Sequence, residues 1–270
     1  MKEPCLSNQP FPSEPVKEVE LSRAPLLRVI CQARFDPIAS ITRMEYIAQF
    51  QEELRGTYPT MRDERAVNIT MGPEGVSQTV GDRQWQLLDQ KGEWVVNLAP
   101  TFVSLETSAY TSRTDFLERL RTVLVALRGT TGPIQLSRIG VRYTDGVRGD
   151  EIIQKLPTFL TPVAQGPLAF QLLEGQQLTA SASQAYFALP NETQILVRWG
   201  QVPANASFIT DVPAAPEPSW YLDIDASRDD LELDDDLVIE SAEQLCQHAY
   251  GVFRSMVTQE FLAFHGGETS

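Results

Sequence analysis

The sequence predicts an α+β protein built from two tandem units, each an antiparallel sheet packed on a long helix. A strand-like segment at 29–35 has a counterpart at 138–143, and each copy is followed by the same order of predicted elements. Amphipathic helical patterns alternate with runs of short strands that are bounded by turn residues. The chain therefore divides into an extended leader at 1–22, a first unit at 23–132 and a second unit at 133–270.

Length and composition are those of a folded protein with a substantial core. The chain has 270 residues, of which 42% are apolar and 21% are charged, as in ordinary globular domains. A net charge of −14 repels nucleic-acid phosphates and anionic membranes, and it attracts basic proteins. The charge therefore favours another protein with basic character as the partner, rather than nucleic acid or a membrane, and a homodimer is the alternative.

The cysteines and the first residues predict a cytoplasmic protein. Cys5, Cys31 and Cys246 are odd in number and far apart, which suits neither a disulfide framework nor a zinc site with C-x-x-C spacing. The first residues lack the apolar core of a signal peptide, and no apolar run approaches the roughly 18 residues that a membrane helix needs. A flexible, proline-containing leader that packs on the body without forming an element is expected instead.

The first predicted unit begins with a strand and a helix. Apolar and polar residues alternate from 27 to 35, which is the pattern of a half-buried strand. Apolar residues at helical spacing then run from Ile41 to Leu54, and Gly56 supplies the stop. Five short strands follow, and an amphipathic helix capped by Ser112 closes the unit. The five predicted strands are 66–71, 75–80, 84–89, 93–98 and 101–106.

The second predicted unit repeats this order. A strand at 134–144 leads to a short helix at 150–156, then to four strands, and a helix at 241–264 ends the unit. The four predicted strands are 168–173, 180–188, 194–200 and 220–224. Each half thus has the element order strand, helix, several antiparallel strands and long helix, which resembles the fold of TATA-box-binding proteins. The resemblance implies a curved sheet around a long helix, and it implies no activity.

Three segments resemble a family of bacterial proteins that is distributed sporadically among species and has about this length. They are Gln32–Pro37, Arg138–Tyr143 and His248–Thr258, and the likeness covers most of the chain. The family has no assigned reaction, so the resemblance implies no catalytic residue. Its patchy distribution is typical of mobile accessory genes, which implies a role beside a bacterial defence or toxin-control system.

The most acidic segment, 223–236, is the main candidate for a partner-binding surface. If Trp220 and Leu222 face the core, the neighbouring carboxylates lie on the opposite face, where they could hold Ca²⁺ or Mg²⁺. The spacing does not match an EF-hand loop, and charge runs usually form interaction surfaces. The segment is therefore predicted to be a solvated acidic loop that binds a partner, rather than a metal site. Its candidate residues are Asp223, Asp225, Asp229, Asp230, Glu232, Asp234, Asp235 and Asp236.

The segment at 29–35 and its counterpart at 138–143 also suggest an anion site. If the two halves are related by a pseudo-twofold axis, their first strands lie near that axis. Arg34 and Arg142 can then bind one anion together. The alternative is that each arginine pairs with a nearby carboxylate such as Asp36 or Asp145. Exposed ion pairs are common, so the alternative is favoured.

No catalytic constellation is recognisable in the sequence. Neither His248 on the predicted last helix nor His265 in a predicted frayed tail accompanies a G-x-S-x-G nucleophile turn. The turn at 129–132 joins a helix to a strand, the reverse of a phosphate-binding loop. We therefore predict a non-enzymatic binding or regulatory protein that acts on a protein partner and uses no metal or cofactor. A small-ligand sensor with a pocket between sheet and helix, and an unrecognised hydrolase that uses His248, are the alternatives.

Overall fold

The computed structural model describes residues 10–12, 15–72, 75–133, 135–209, 212–232 and 234–267. They form an α+β protein with a large antiparallel sheet, which confirms the predicted fold class. The strands are β1 (Leu26–Phe35), β2 (Thr60–Gly72), β3 (Gly75–Leu88), β4 (Trp94–Ala99), β5 (Phe102–Thr107), β6 (Gln135–Arg148), β7 (Ser183–Leu189), β8 (Thr193–Val202) and β9 (Ser219–Glu232). The α-helices are α1 (Met44–Leu54), α2 (Arg113–Thr130), α3 (Asp150–Phe159), α4 (Pro162–Gln165), α5 (Asp235–Met256) and α6 (Gln259–Phe264).

The strands lie in the order β2-β3-β4-β5-β1-β6-β9-β8-β7. The pairings of β1 with β5, of β2 with β3, of β3 with β4, of β4 with β5 and of β7 with β8 are antiparallel. The residues separate into two compact units, each discontinuous in sequence. Unit A comprises Arg28–Val141 and Ser227–Glu243, whereas unit B comprises the residues up to Leu27, Arg142–Ala226 and the residues from Gln244 onwards.

Strand β1 in unit A shows the predicted alternation. Val29, Cys31, Ala33 and Phe35 are buried, whereas Arg34 is exposed. Every second side chain of an extended strand points to the same face, so the apolar residues of β1 form its core face. The half-buried strand predicted from the sequence is therefore confirmed.

The short strands predicted after α1 are longer and fewer than expected. The segments 75–80 and 84–89 form a single strand, β3. Trp85 in this strand is fully buried, and its indole N–H donates to the Ile41 carbonyl at 2.6 Å. The Arg83 guanidinium lies 4.2 Å from the centre of the Trp85 ring. The break predicted between these two segments, at residues 81–83, lies within this strand.

Helix α2 begins at the residue that the sequence indicates. The Ser112 hydroxyl accepts a hydrogen bond from the Asp115 N–H at 3.1 Å, which satisfies one of the free N–H groups at the start of a helix. The Asp115 carboxylate accepts from Thr111 Oγ1 and from Arg119 Nε. The predicted apolar stripe is buried, and it comprises Phe116, Leu117, Leu120, Val123, Leu124 and Leu127.

Replacing Ser112 with alanine is expected to lower the free energy of unfolding by about 1 kcal/mol, because the cap bond to Asp115 is lost. Urea denaturation of the two proteins measures the difference. Ser108→Ala, an exposed position outside the helix, is the matched control and should change stability by less. Equal effects of the two substitutions would contradict the capping role.

Unit B departs from the prediction in the segment after α4. The strand predicted at 168–173 is wrong, because Gly166–Ala169 form a 3-10 helix and residues 170–182 form no strand. The apolar run that suggested a strand is instead exposed, with Phe170 at 71% and Leu173 at 74% of their full exposure. The apolar character of this run therefore needs an explanation other than core packing.

The last predicted helix is two helices. Helix α5 ends at Met256, and α6 begins at Gln259. The Thr258 hydroxyl accepts from the Phe261 N–H at 3.3 Å, so this threonine caps α6 and separates it from α5. The apolar residues at helical spacing in this part of the sequence are nevertheless buried, and they comprise Leu245, Ala249, Val252, Phe253, Met256, Val257 and Phe261.

Candidate functional site

Unit B contains a fully buried carboxylate, that of Asp223 on β9. Successive side chains of a strand point to opposite faces, so Tyr221 and Asp223 share one face while Leu222 and Ile224 share the other. All four residues are buried. Both faces of β9 are therefore covered at this point, although the sequence predicted an exposed acidic face.

Two arginines from the strands next to β9 hold the Asp223 carboxylate. Its Oδ1 accepts from Arg142 Nε at 2.7 Å and from Thr144 Oγ1 at 2.8 Å. Its Oδ2 accepts from Arg198 Nε at 3.1 Å and from Nη2 of the same residue at 2.6 Å. Each carboxylate oxygen thus accepts two hydrogen bonds, which is the pairing that a buried charge requires. The cluster connects β6, β9 and β8.

A second buried carboxylate belongs to Asp145 of β6, which is 7% exposed. Burial and the negative charge of Asp223 raise the pKa of Asp145 to about 7, because both disfavour the ionised form. Asp145 is therefore neutral in mildly acidic solution and titrates near neutral pH. Arg142 does pair with a carboxylate, as the favoured alternative predicted, but that carboxylate is Asp223 on the neighbouring strand.

Arg34, the other residue of the predicted anion site, lies in unit A. Its side chain is exposed, and its Nε donates to Gln32 Oε1 at 2.7 Å. Arg142 lies in unit B and binds Asp223. The two arginines thus have separate partners in separate units, and their cooperation in binding an anion stays a prediction.

The acidic segment 223–236 is not a solvated loop, which corrects the prediction. Its first part continues β9, and α5 begins at Asp235. Asp234 Oδ1 accepts from the N–H groups of Asp236 at 3.0 Å and of Leu237 at 3.1 Å. A carboxylate in this position caps the helix and interacts favourably with its dipole. The end of the acidic run is therefore a helix start.

Two more of the predicted carboxylates pair with arginines of α2. Asp235 is 7% exposed, and its Oδ2 lies 2.6 Å from Arg128 Nη2. Asp236 Oδ1 lies 2.5 Å from Arg121 Nη1, and its side chain is 85% exposed. The negative charge of these two residues is largely compensated within unit A.

The remaining predicted residues of the segment differ in exposure. Glu232 is exposed, whereas Asp225 and Asp229 are half-buried. The side chain of Asp230 lies outside the described residues. Asp223 and Asp225 belong to unit B, while the later residues of the segment belong to unit A. Asp223 and Asp235 are buried, so these two carboxylates are not part of an open acidic surface, and partner binding by the other residues stays a prediction.

The two histidines lie in packed surroundings. His265 is 7% exposed, and burial lowers its pKa, so the neutral ring donates from Nδ1 to the Arg23 carbonyl at 2.8 Å. The prediction of a frayed tail around His265 is therefore wrong. The ring of His248 on α5 lies 6.0 Å from the ring of Phe11.

A long stretch of unit B carries almost no charge, and this feature was missed in the sequence. Residues 156–191, called the uncharged segment below, contain Glu174 as their one charged residue, in a chain with 21% charged residues. Within it Phe170, Leu173 and Tyr186 are 71%, 74% and 72% exposed. Such side chains are usually buried, and exposed groups of them mark interaction sites. The signal that could have revealed this surface is the absence of charge.

Strand β7 lies within the uncharged segment and is the last strand in the sheet order. It pairs with β8 from Ser183 opposite Trp199 to Leu189 opposite Thr193, and its second edge has no strand neighbour among the described residues. A strand edge of this kind offers backbone N–H and C=O groups to a partner. The uncharged segment thus combines exposed apolar side chains with an available strand edge.

Helices long and apolar enough to cross a membrane do not occur in the described part of the chain. Nor do the described residues contain a group of three or more His, Cys, Asp or Glu side chains that could hold a metal ion. The chain matches no protein-family model, and it has no significant match among curated proteins.

Proposed function

We propose that this protein is a non-enzymatic binding protein that docks another protein on the uncharged segment of unit B. The observation that carries the proposal is the exposure of Phe170, Leu173 and Tyr186 in a stretch with one charged residue. The centres of protein interfaces are depleted of charged residues and enriched in aromatic ones. The uncharged segment has this composition, whereas Asp223, Asp235 and Asp236 of the acidic segment are bound by arginines.

The rest of the surface supports a partner with basic character around an apolar centre. A net charge of −14 attracts such a partner over a distance, and complementary charge raises association rates more than it raises affinity. Burial of large apolar side chains then supplies affinity, about 1.5–3 kcal/mol for each one fully buried. The exposed edge of β7 can add backbone hydrogen bonds if the partner presents an extended strand.

The substitution pair Phe170→Ser and Leu173→Ser is expected to weaken partner binding by about tenfold or more, because each truncation removes apolar contact area. The full-length tagged chain first captures its partner from a lysate of its own cells. Calorimetry with the purified partner then compares the wild type with the double variant. Val125→Ser on α2, where the valine is 48% exposed, is the matched control and should bind like the wild type.

Equal affinity of the double variant and the wild type would overturn the proposal. Loss of binding in the Val125→Ser control would also count against the proposal, because that loss would show that the interface lies on unit A. If the chain captures only its own copies through the uncharged segment, the partner is a second copy of this chain and the complex is a homodimer.

We further infer that the two halves of the chain arose by duplication and that each has the TATA-binding-protein-like arrangement. Strands β1 and β6 contain the similar segments 29–35 and 138–143, and their adjacency in the sheet supports this inference. A crystal structure in which residues 27–128 and 134–264 do not superimpose would refute it. The resemblance to sporadic bacterial proteins favours a cytoplasmic accessory role in defence or toxin control, in which the partner is encoded by a neighbouring gene.

A further inference from the structure

The described part of the leader packs against two elements of unit B. The ring of Phe11 lies 5.2 Å from the ring of Phe187 on β7 and 6.0 Å from that of His248 on α5. Both contacts are edge-to-face, the arrangement that aromatic rings prefer. Phe11 therefore lies against aromatic side chains from a strand and from a helix.

A glycine in α5 makes room for the leader backbone. A Cβ added at Gly251 would collide with the carbonyl oxygen of Pro10 and would lie 3.8 Å from Pro12 Cδ. Glycine is a poor helix former, yet Gly251 lies inside α5 rather than at its end. The helix thus has its one residue without a side chain at the point where the Pro10–Phe11–Pro12 backbone crosses it.

Tyr250, which precedes this glycine, binds the leader further along. Its hydroxyl accepts from the Val19 N–H at 2.7 Å and donates to the Lys17 carbonyl at 3.4 Å. Hydrogen bonds of this kind bind the backbone of an extended segment and do not depend on the identity of its side chains. The leader groove is defined here as the surface formed by Phe187, His248, Tyr250 and Gly251.

The leader forms no helix or strand at its described residues up to 20, and Leu21 makes an isolated bridge to Gly267. Pro10, Phe11 and Pro12 are each half-buried. Segments with few buried contacts open more easily than core elements. Proline restricts the unbound segment to extended conformations, so little entropy is lost when such a segment docks.

We propose that the leader groove is a docking site for an extended Pro-aromatic-Pro segment of a partner protein. The chain's own Pro10–Phe11–Pro12 occupies the groove until such a segment displaces it. Of the uncharged segment the groove includes only Phe187, and Phe170, Leu173 and Tyr186 are not part of it, so the two proposals rest on different observations. Because a tethered segment has an effective concentration in the millimolar range, the leader competes strongly with any segment supplied from outside.

The test uses a fluorescently labelled peptide of residues 8–16 and the full-length chain. Fluorescence anisotropy should show binding to the Phe11→Ala chain that is at least about tenfold tighter than binding to the wild type, since the leader no longer competes. Adding Gly251→Ala to the Phe11→Ala chain should abolish binding, because the new Cβ occupies the path of the Pro10 carbonyl. Alanine is the better helix former, so α5 remains intact. A peptide in which Phe11 is alanine should bind none of the proteins.

Three results would overturn the proposal. The first is that the peptide binds the Phe11→Ala chain no more tightly than the wild type, and the second is that Gly251→Ala leaves the affinity for the peptide unchanged. The third is a wild-type chain that is dimeric in sedimentation while the Phe11→Ala chain is monomeric, because the groove would then hold the leader of a second copy. Circular dichroism of each variant confirms that it is folded.

Discussion

Replacing Asp223 with alanine is expected to lower the free energy of unfolding of unit B by about 3–5 kcal/mol, the usual effect of breaking a buried ion pair by removing one partner. The carboxylate is fully buried and accepts four hydrogen bonds from Arg142, Thr144 and Arg198. Its removal takes away the carboxylate that accepts hydrogen bonds from both guanidinium groups. Chemical denaturation monitored by tryptophan fluorescence measures the loss.

Two further variants, one with a single substitution and one with three, test the same cluster. Asp236→Ala removes a carboxylate whose side chain is 85% exposed and paired with Arg121, and it should change stability by less than about 1 kcal/mol. Simultaneous replacement of Arg142, Arg198 and Asp223 by apolar residues of similar size should be tolerated far better than Asp223→Ala, because no buried charge is then left unpaired. An Asp223→Ala protein as stable as the Asp236→Ala protein would contradict the account of the cluster.

Asp145→Asn is expected to stabilise the protein at pH 8 and to have little effect at pH 4. The pKa of Asp145 is raised from 3.8 to about 7 in the folded state. Between pH 3.8 and pH 7 the folded protein therefore keeps a proton on Asp145 that the unfolded protein has released. The contribution of Asp145 to stability is therefore fully present below pH 4 and is lost as the pH rises through 7. At about 1.4 kcal/mol per pKa unit, the gain at pH 8 should be on the order of 2–4 kcal/mol.

Denaturation of both proteins from pH 4 to pH 9 measures this effect. Glu174→Gln, which alters an exposed carboxylate of the same unit, is the matched control and should leave the pH profile unchanged. A difference between Asp145→Asn and the wild type that does not vary with pH would show that Asp145 is ionised throughout this range in the folded protein.

Local patterns in the sequence predicted the elements that local physics determines. The alternation in β1 and the apolar stripe of α2 identify their core faces, because burial follows the strand and helix periods. The cap at Ser112 was equally visible, since its partner lies three residues away. These features need no knowledge of distant contacts.

The burial of Asp223 could not be predicted because its partners are distant in sequence. Arg142 lies 81 residues away and Arg198 lies 25 residues away, and only the sheet order brings them to the same place. Without them an aspartate in an acidic run is most simply interpreted as exposed. The helix start at Asp234 is different, since a carboxylate followed by an apolar helical pattern is a recognisable cap.

The surface on which the proposed function depends was missed for another reason. An apolar run such as 168–173 predicts a buried strand, because hydrophobic periodicity cannot distinguish apolar residues of the core from apolar residues exposed at an interaction surface. Exposure of Phe170 and Leu173 is a property of the folded chain alone. Charge depletion over residues 156–191 was the available signal, and it indicates an interface more directly than the acidic segment does.

Hydrogen–deuterium exchange of the full-length chain, alone and in complex with its purified partner, tests the central claim most directly. The account predicts that the partner slows exchange in residues 166–189, which include the exposed apolar side chains and the free edge of β7, and leaves residues 229–236 unchanged. Slower exchange confined to residues 229–236 would contradict it and would return the binding surface to the acidic segment.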